Sequence, residues 1–422
     1  MNSDERRAAR RKRREEKRAR KKRERCKNST LDTVADLNAL YKAQREAARG
    51  VSWKTSTQRY QVHWLLNIFK ARRDLLEGNE VCRGFHEFDI FERGKRRHIS
   101  SVHFSERVIQ KSFTQNALMP SVRPTLIYDN AANIKDKGTA FAVKRTKKLL
   151  AGHYRKHGSD GYVLQADFSD FFASIPHEPV NQLIDTISED GRLTALGRHF
   201  IEMQGDVGLG LGSEPNQICA IAFPSPLDHL ICECCGVEGY IRYMDDFICV
   251  HTDKQALQCI LAVVRDKCAA LGLTLNEKKT HITKLTKGFT FLKKRFTYSE
   301  TGKVVVRPCR ESITRERRKL KKQAALVAQG KMTFAQWVQS YQSWRGSIMG
   351  LASHKTLATM DKLFARLSAW VEMQGDPPPR HDLYNAISQN PSFRGVFYCP
   401  KHGVPTLGGT NGRAGLPVAD AH

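Results

Sequence analysis

The sequence of 422 residues lacks several features that mark secreted and membrane proteins. No apolar run approaches the roughly 18 residues that a membrane-spanning helix needs. The basic N-terminal stretch lacks the apolar segment of a secretory signal. The 11 cysteines show no paired spacing, and no internal repeat is apparent. These absences predict a reduced, cytoplasmic protein that does not span a membrane.

The cysteines also lack the paired spacing of a structural zinc site. Cys232, Cys234 and Cys235 are clustered but have no matching second half. The same holds for Cys399 and His402 near the end of the sequence. Because such sites usually take their ligands from two paired groups, we disfavour metal binding at both places.

Acidic residues are few relative to basic ones. Lys and Arg number 70 against 43 Asp and Glu, which gives a formal charge of +27. This excess favours a polyanionic partner such as nucleic acid, and an anionic membrane surface is the competing partner. Residues 1–27 alone carry 15 Lys or Arg and 5 Asp or Glu. This segment has no apolar stripe, so it is either a solvated helix or disordered arm, or an RNA-binding arm that orders on contact.

The first part of the chain after this segment shows helical and strand patterns in turn. Residues 31–77 are mostly helical, and five large side chains are expected to anchor a core: Trp53, Tyr60, Trp64, Leu65 and Phe69. Short strands are predicted at 82–100, around a turn at 93–95. A helix should follow from near Ser105, with Pro120 and Pro124 ending it. A basic helix is predicted at about 141–155.

The middle and later parts of the chain predict alternating strands and helices. The expected elements, in order, are a buried strand at 162–167, a helix from about 176, a glycine-rich stretch at 205–217, a helix from about 216, a strand–turn–strand at 241–250, a helix at 253–271 and a strand at 289–297. Residues 312–373 read as helical and basic. The stretch from Asp376 is rich in Pro and Gly, so we expect it to be irregular.

Two acidic sites carry the strongest chemical signal. In IRYMDDFICV at 241–250, two apolar runs flank Asp245 and Asp246, so a tight turn would expose both carboxylates. An acidic hairpin turn is common by itself, but the strand YVLQAD also ends in an acid, Asp167. If this strand pairs beside the hairpin, the carboxylates can hold two Mg²⁺ ions about 3.5–4 Å apart. Without a cation the clustered carboxylates would repel one another, which disfavours a purely structural role.

Eight sequence blocks between about residues 90 and 350 resemble those of reverse transcriptases in their order and spacing. They are GKRRHISSVHFSERVIQ (94–110), IKDKGTAFA (134–142), ADFSDFFASIPH (166–177), GLGLGSEPNQICA (208–220), YMDD (243–246), LTLNEKKT (273–280), FTFLKKRF (289–296) and YQSWRG (341–346). The resemblance implies an α+β right-hand polymerase fold with fingers, a palm of antiparallel sheet plus helices, and a helical thumb.

The resemblance also implies a division of the chain. The expected parts are a basic N-terminal arm (1–30), N-terminal helices and fingers (31–160), a palm with the catalytic site (161–300), a helical thumb (301–375) and an irregular C-terminal tail (376–422). The implied activity is RNA-directed DNA polymerisation in a bacterial or phage retroelement. Its substrates would be an RNA template, a DNA or RNA primer and deoxynucleoside triphosphates.

The resemblance assigns the metal site residue by residue. Asp167, Asp245 and Asp246 match the catalytic acids, and the backbone carbonyl of Phe168 would also face a metal. Two Mg²⁺ ions are implied, for which Mn²⁺ can substitute. Lys279 resembles the lysine that protonates the pyrophosphate, and Lys278 is its rival.

The nucleotide-binding positions follow in the same way. Lys95 and Arg97 match the fingers residues that grip the triphosphate, because that task needs permanent positive charge. Arg107 and Lys137 would support the template or the nucleotide. Phe172 matches the aromatic steric gate that excludes a ribose 2′-hydroxyl.

For Phe172 the alternative is a core position. Either Phe172 or its neighbour Phe171 must pack inside the protein.

The block at 208–220 departs from many family members. An apolar Leu211 precedes Gly212 where many members have Gln, and Asn216-Gln217 replaces Ser-Pro. This pattern is closest to the reverse transcriptases of diversity-generating retroelements. Because Leu211 cannot hydrogen-bond the base pair, we expect error-prone synthesis.

Two other functions stay open at this point. One is an antiphage-defence reverse transcriptase with template-independent or protein-primed DNA synthesis, where Tyr341 or Ser343 would supply the priming hydroxyl. The other is a catalytically degenerate polymerase fold that only binds RNA. The intact set of three acids favours an enzyme. A basic accessory protein in a ribonucleoprotein is a further expected partner.

Overall fold

The computed structural model describes residues 3–92, 95–203 and 205–374. It divides into two units, Met1–Cys309 and Arg310–His422. The predicted irregular tail, with Cys399 and His402, lies outside the described residues. None of the described helices combines the length and apolar character needed to cross a membrane.

The first unit contains fourteen α-helices and nine strands among its described residues. The helices are α1 (Ser3–Asn28), α2 (Leu31–Val34), α3 (Leu37–Ala48), α4 (Thr55–Val62), α5 (Trp64–Glu77), α6 (Phe104–Phe113), α7 (Met119–Val122), α8 (Thr139–His157), α9 (Phe171–Ser174), α10 (His177–Asp185), α11 (Gly191–Glu202), α12 (Glu214–Ala222), α13 (Ser225–Cys234) and α14 (Lys254–Ala270). The strands are β1 (Phe85–Glu92), β2 (Lys95–Val102), β3 (Tyr162–Asp167), β4 (Gly239–Tyr243), β5 (Asp246–His251), β6 (His281–Lys284), β7 (Phe289–Phe291), β8 (Lys294–Tyr298) and β9 (Val304–Pro308).

The basic N-terminal segment forms a single helix, α1, of 26 residues. Its described side chains are largely exposed, and its last turn contacts the rest of the unit. There, the Cys26 thiol donates to the carbonyl of Thr186 over 3.2 Å, and the N–H of Glu189 donates to the carbonyl of Cys26 over 3.3 Å. A helix without an apolar stripe has no face to bury, which explains the exposure of most of its side chains.

The helical prediction for residues 31–77 is confirmed, but most of the expected core anchors are wrong. Tyr60 is buried, whereas Trp53, Trp64, Leu65 and Phe69 are exposed by 72, 39, 51 and 50%. In α5 the packed stripe consists of three other residues: Ile68, Ala71 and Leu75. Helical period, not side-chain size, therefore decides which face is buried.

The helix after β2 does not end at Pro120. A π-helical turn at Thr114–Leu118 follows α6, and α7 continues directly from it, with Pro120 in its first turn. Proline is tolerated there because the first turn of a helix does not need its N–H. A 3₁₀ turn at Arg123–Thr125 ends the segment.

The central sheet has the strand order β4-β5-β3-β6, and all neighbours are antiparallel. The predicted strand at 162–167 and the strand–turn–strand at 241–250 are confirmed as β3, β4 and β5. The register places Asp167 opposite Asp246. The sheet belongs to a large core that includes the buried side chains of Leu164, Phe168 and Phe247.

A second sheet has the order β7-β8-β9. The stretch predicted as a strand at 289–297 forms two strands, β7 and β8, which pair as a hairpin. Its two turn residues, Leu292 and Lys293, have φ of 49° and 59°, which suits the two-residue turns of twisted hairpins. Strand β9 was not predicted.

The second unit confirms the helical prediction for 312–373. Its helices are α15 (Arg310–Ala328), α16 (Phe334–Met349) and α17 (His354–Gln374). They pack around Leu320, Trp337, Tyr341 and Met360, each at most 1% exposed. The Tyr341 hydroxyl donates to the Asp361 carboxylate over 2.6 Å.

Candidate active site

Two strands and the turn between β4 and β5 bring the three predicted acids to one end of the central sheet. Asp167 is the last residue of β3 and lies opposite Asp246, the first residue of β5. Asp245 lies in the two-residue turn between β4 and β5, together with Met244. The N–H of Phe168 donates to the Asp245 carbonyl over 3.2 Å, which joins the end of β3 to this turn. The structure therefore unites acids that are 78 positions apart in the sequence.

The carboxylates interact strongly with one another. Burial, a hydrogen bond with Asp167 and the charge of Asp245 raise the pKa of Asp246 to about 8. Lys279 Nζ donates to Asp167 Oδ1 over 2.7 Å. Burial lowers the pKa of Lys279, but the bond to Asp167 and the neighbouring aspartates outweigh it and raise the pKa above its ordinary value. The site is thus rich in negative charge, and Lys279 supplies a protonated amine.

The donor set fits a hard divalent cation. Carboxylate oxygens are the ligands that Mg²⁺ prefers, and the mutual repulsion of Asp245 and Asp246 is what such an ion would relieve. The oxygen atoms of the three carboxylates are not all within 4.8 Å of one another. Among the described residues, Glu80, Cys82 and His199 are the group whose ligand atoms lie that close together.

A small cavity lies beside Asp167 and Asp246. Its volume is about 260 Å³, and its walls include Lys278, Lys279 and the hairpin residue Leu292. Both lysines are exposed, and Lys279 donates to Asp167. Of the two rival lysines, the geometry favours Lys279 as the one that acts at the acids.

The sequence reasoning missed a buried arginine behind the turn. Arg242, fully buried in β4, donates two hydrogen bonds to Asp228, at 2.8 and 2.7 Å. It also donates to the carbonyls of Ile221 and Met244, at 2.7 and 3.0 Å. Met244 has φ of 56°, which is unfavourable for a long side chain, so these bonds hold the turn in place. The sequence signal that could have predicted its burial is the position of Arg242 within the otherwise apolar strand pattern of IRYMDDFICV.

The glycine-rich block packs against the β1–β2 hairpin. Gly212 has φ of 140°, and a Cβ there would overlap the backbone carbonyl oxygen of Ser100 in β2. On the same block, the Gln217 side chain accepts a hydrogen bond from Asn133 over 3.1 Å. The Asn133 amide is also 4.0 Å from the sulfur of Met244. Gly212 and Gln217 thus connect the hairpin to the acidic turn.

Gly212→Ala is expected to lower the free energy of unfolding by about 1–3 kcal/mol, because the new Cβ meets fixed backbone at a φ that L-residues rarely adopt. Urea unfolding measures the change. Gly152→Ala is the matched control, since Gly152 lies in α8 with its nearest neighbour 4.0 Å away, and helix propensity predicts about 0.5–1 kcal/mol of added stability there. Equal behaviour of the two variants would contradict the proposed packing.

The aromatic pair after Asp167 divides into a core residue and a half-buried one. Phe171 is buried and stacks on Phe168 at a ring distance of 5.2 Å. Phe172 is half-buried, with its ring at right angles to Phe171 and its carbonyl accepting from the N–H of Leu209 over 2.7 Å. The core position expected for one of the two is therefore Phe171.

The predicted basic residues are placed unequally. The side chains of Lys95 and Arg97 lie outside the described residues, although their backbone belongs to β2. Arg107 is exposed on α6. Lys137 donates to the carbonyls of Tyr128 and Asn130, at 2.6 and 3.0 Å, which gives it a local structural role.

Comparison with protein families gives a match to the middle of the chain. Residues 86–296 match the family model described as reverse transcriptase (RNA-dependent DNA polymerase). The match covers half of the chain and includes β3, the turn with Asp245 and the hairpin of β7 and β8. No curated protein matches the sequence.

Proposed function

Since the chain belongs to the reverse transcriptase family, the RNA-dependent DNA polymerases, we propose that Asp167, Asp245 and Asp246 hold two Mg²⁺ ions for nucleotidyl transfer. The observation that carries the proposal is the register of β3 and β5, which sets Asp167 opposite Asp246 beside the turn with Asp245. The backbone carbonyl of Phe168 is proposed as a further ligand. Mn²⁺ is expected to substitute, because it accepts the same oxygen ligands.

The proposed reaction joins a deoxynucleoside triphosphate to a primer 3′-hydroxyl on an RNA template. When bound, the metal ions supply activation of that hydroxyl and neutralisation of the charge on the triphosphate. Lys279 is proposed to give a proton to the leaving pyrophosphate, and its bond to Asp167 and its raised pKa support this role. Arg242 orients the acidic turn without touching the substrate.

The proposed organisation follows the right-hand polymerases. Residues 31–160 would form N-terminal helices and fingers, 161–300 the palm, and 301–375 the thumb. The contact between Gly212 and Ser100 supports a nucleotide site lying between the β1–β2 hairpin and the central sheet. Lys95, Arg97 and Arg107 are proposed to bind phosphates there. Lys137 is proposed to support the template or the nucleotide.

Phe172→Val is expected to raise ribonucleotide incorporation relative to deoxynucleotide incorporation by about 10- to 100-fold, because the smaller side chain leaves room for a 2′-hydroxyl. Single-nucleotide extension with each substrate measures the ratio. Phe171→Leu is the control, since Phe171 is a core residue and its change should lower stability without changing the ratio. An unaltered ratio in Phe172→Val would remove the steric-gate assignment.

Leu211→Gln is expected to reduce misincorporation several-fold, because one regained polar contact contributes on the order of 1 kcal/mol. Sequencing of the extension products measures the error spectrum. Leu211→Met keeps the side chain apolar and should leave the spectrum unchanged. If the Gln variant also matches the parent protein, Leu211 does not set the error rate.

The subtype and partners are proposed from the sequence. The block from Leu211 to Gln217 supports a diversity-generating retroelement of a bacterium or phage, acting in the cytoplasm. The charge of α1 supports an arm that binds RNA, and a basic accessory protein is a further proposed partner. Protein priming from Tyr341 has no support, since that hydroxyl is buried against Asp361.

The proposal is tested by incubating the full chain with primed RNA, Mg²⁺ and labelled deoxynucleotides. Product that follows the template supports the proposed function. Product formed without added template would instead support a defence enzyme. RNA binding without product would support a degenerate fold that only carries RNA.

A further inference from the structure

A second cluster of metal-ligand side chains lies outside the aspartate site. Glu80, Cys82 and His199 offer a carboxylate oxygen, a thiol sulfur and an imidazole nitrogen, all within 4.8 Å of one another. Among the described residues, no other three side chains of these types bring their ligand atoms so close together. The function proposed above makes no use of it.

Two distant segments build this cluster. Glu80 and Cys82 lie between α5 and β1, and His199 lies in the last turn of α11. The N–H of Cys82 donates to Glu80 Oε1 over 2.7 Å, and His199 Nε2 is 3.1 Å from the same oxygen. The ligand atoms of a tetrahedral zinc centre are separated by about 3.3–3.8 Å at usual bond lengths. The cluster can therefore close around an ion with small side-chain movements.

A buried carboxylate adds negative charge beside the cluster. Glu106 is 1% exposed, and burial, together with the charge of Glu106, raises the pKa of the Cys82 thiol. Its carboxylate also accepts from two neutral donors, the Gln110 side chain at 2.8 Å and the N–H of Arg83 at 3.2 Å. A buried carboxylate is costly without a compensating positive charge. A divalent cation at the cluster would supply that charge.

The cluster is open on one side. A cavity of about 580 Å³ is lined by Glu80 and His199, together with Arg192 and the apolar Leu75 and Leu196. Three protein ligands with an accessible fourth position are an arrangement that zinc adopts with water as the fourth ligand.

We propose that Glu80, Cys82 and His199 bind a transition-metal ion of the zinc class. Sulfur and nitrogen ligands select such an ion over Mg²⁺, whereas the aspartate site, with oxygen ligands alone, selects Mg²⁺. The ion would tie the segment that leads into the β1–β2 hairpin to α11. It would thereby fix the base of that hairpin.

The test measures bound metal in the purified full chain after equilibrium dialysis against zinc. The expected result is about one zinc per chain, which Cys82→Ser and His199→Ala each lose. Cys232→Ser is the matched control, because Cys232, which lies on α13, also has a His and a Glu nearby, at positions 229 and 233. Circular dichroism checks that each variant is folded.

Cobalt binding gives a second measurement, which can be made on the wild-type chain even if a variant does not fold. Bound Co²⁺ should show a thiolate-to-cobalt absorption band in the wild-type chain and in Cys232→Ser, and Cys82→Ser should lack it. A wild-type chain that shows neither the band nor bound zinc would overturn the proposal. A folded Cys82→Ser variant that binds as much zinc as the wild-type chain would overturn it as well. Asp245→Asn should retain zinc, which separates this site from the Mg²⁺ site.

Discussion

Asp245→Asn is expected to lower the rate of deoxynucleotide incorporation on primed RNA by at least about 10³-fold, because losing several kcal/mol of charge stabilisation slows a reaction by that factor. The turn should keep its conformation, since the Asp245 carbonyl bonded by Phe168 belongs to the backbone and is retained. The rate is measured in single-turnover extension with saturating Mg²⁺. Unfolding by urea should be nearly unchanged.

The control for this variant is Asp266→Asn. Asp266 is exposed on α14, outside the central sheet, and it loses the same charge on substitution. Its extension rate should equal that of the parent protein. Full-speed extension by Asp245→Asn would show that Asp245 does not hold a metal ion, and the assignment of Asp167 and Asp246 would fall with it.

Arg242→Gln is expected to lower the free energy of unfolding by about 3–5 kcal/mol, because it leaves the buried carboxylate of Asp228 without its cation. It also removes the hydrogen bond to the Met244 carbonyl, so the turn before Asp245 loses its support. Urea unfolding measures the loss of stability, and extension assays below the transition should show reduced activity as well.

Arg265→Gln provides the comparison for this second prediction. Arg265 pairs with Glu277 at 2.8 Å, but both side chains are about half exposed or more, at 48 and 67%. Exposed pairs contribute roughly 0–1 kcal/mol, so this variant should be nearly as stable as the parent protein. If the two arginine variants lose equal stability, the buried pair does not have the structural role inferred for it.

The sequence predicted the elements of the site because its local signals agreed. Apolar runs that end at Asp167 and flank Asp245 predict buried strands, and the register of β3 and β5 brought these acids together as expected. The packing argument expected a core position for one of the two phenylalanines after Asp167, and Phe171 occupies it.

Other features depended on tertiary contacts that local patterns do not encode. Trp64 and Phe69 read as core residues by type, yet α5 buries the stripe that contains Ile68. Pro120 is accepted within a helical segment because a π turn precedes it. Glu80 and His199 are 119 positions apart in the sequence, and no motif of regular spacing predicts their contact.

The contact of α1 through its last turn leaves most of its charge far from that contact along the helix. A helix of 26 residues is about 39 Å long. The Debye length at physiological ionic strength is about 8 Å, so the far end lies several screening lengths from the contact of Cys26 with Thr186. The charge of the distal arginines and lysines is therefore largely screened from the groups around that contact.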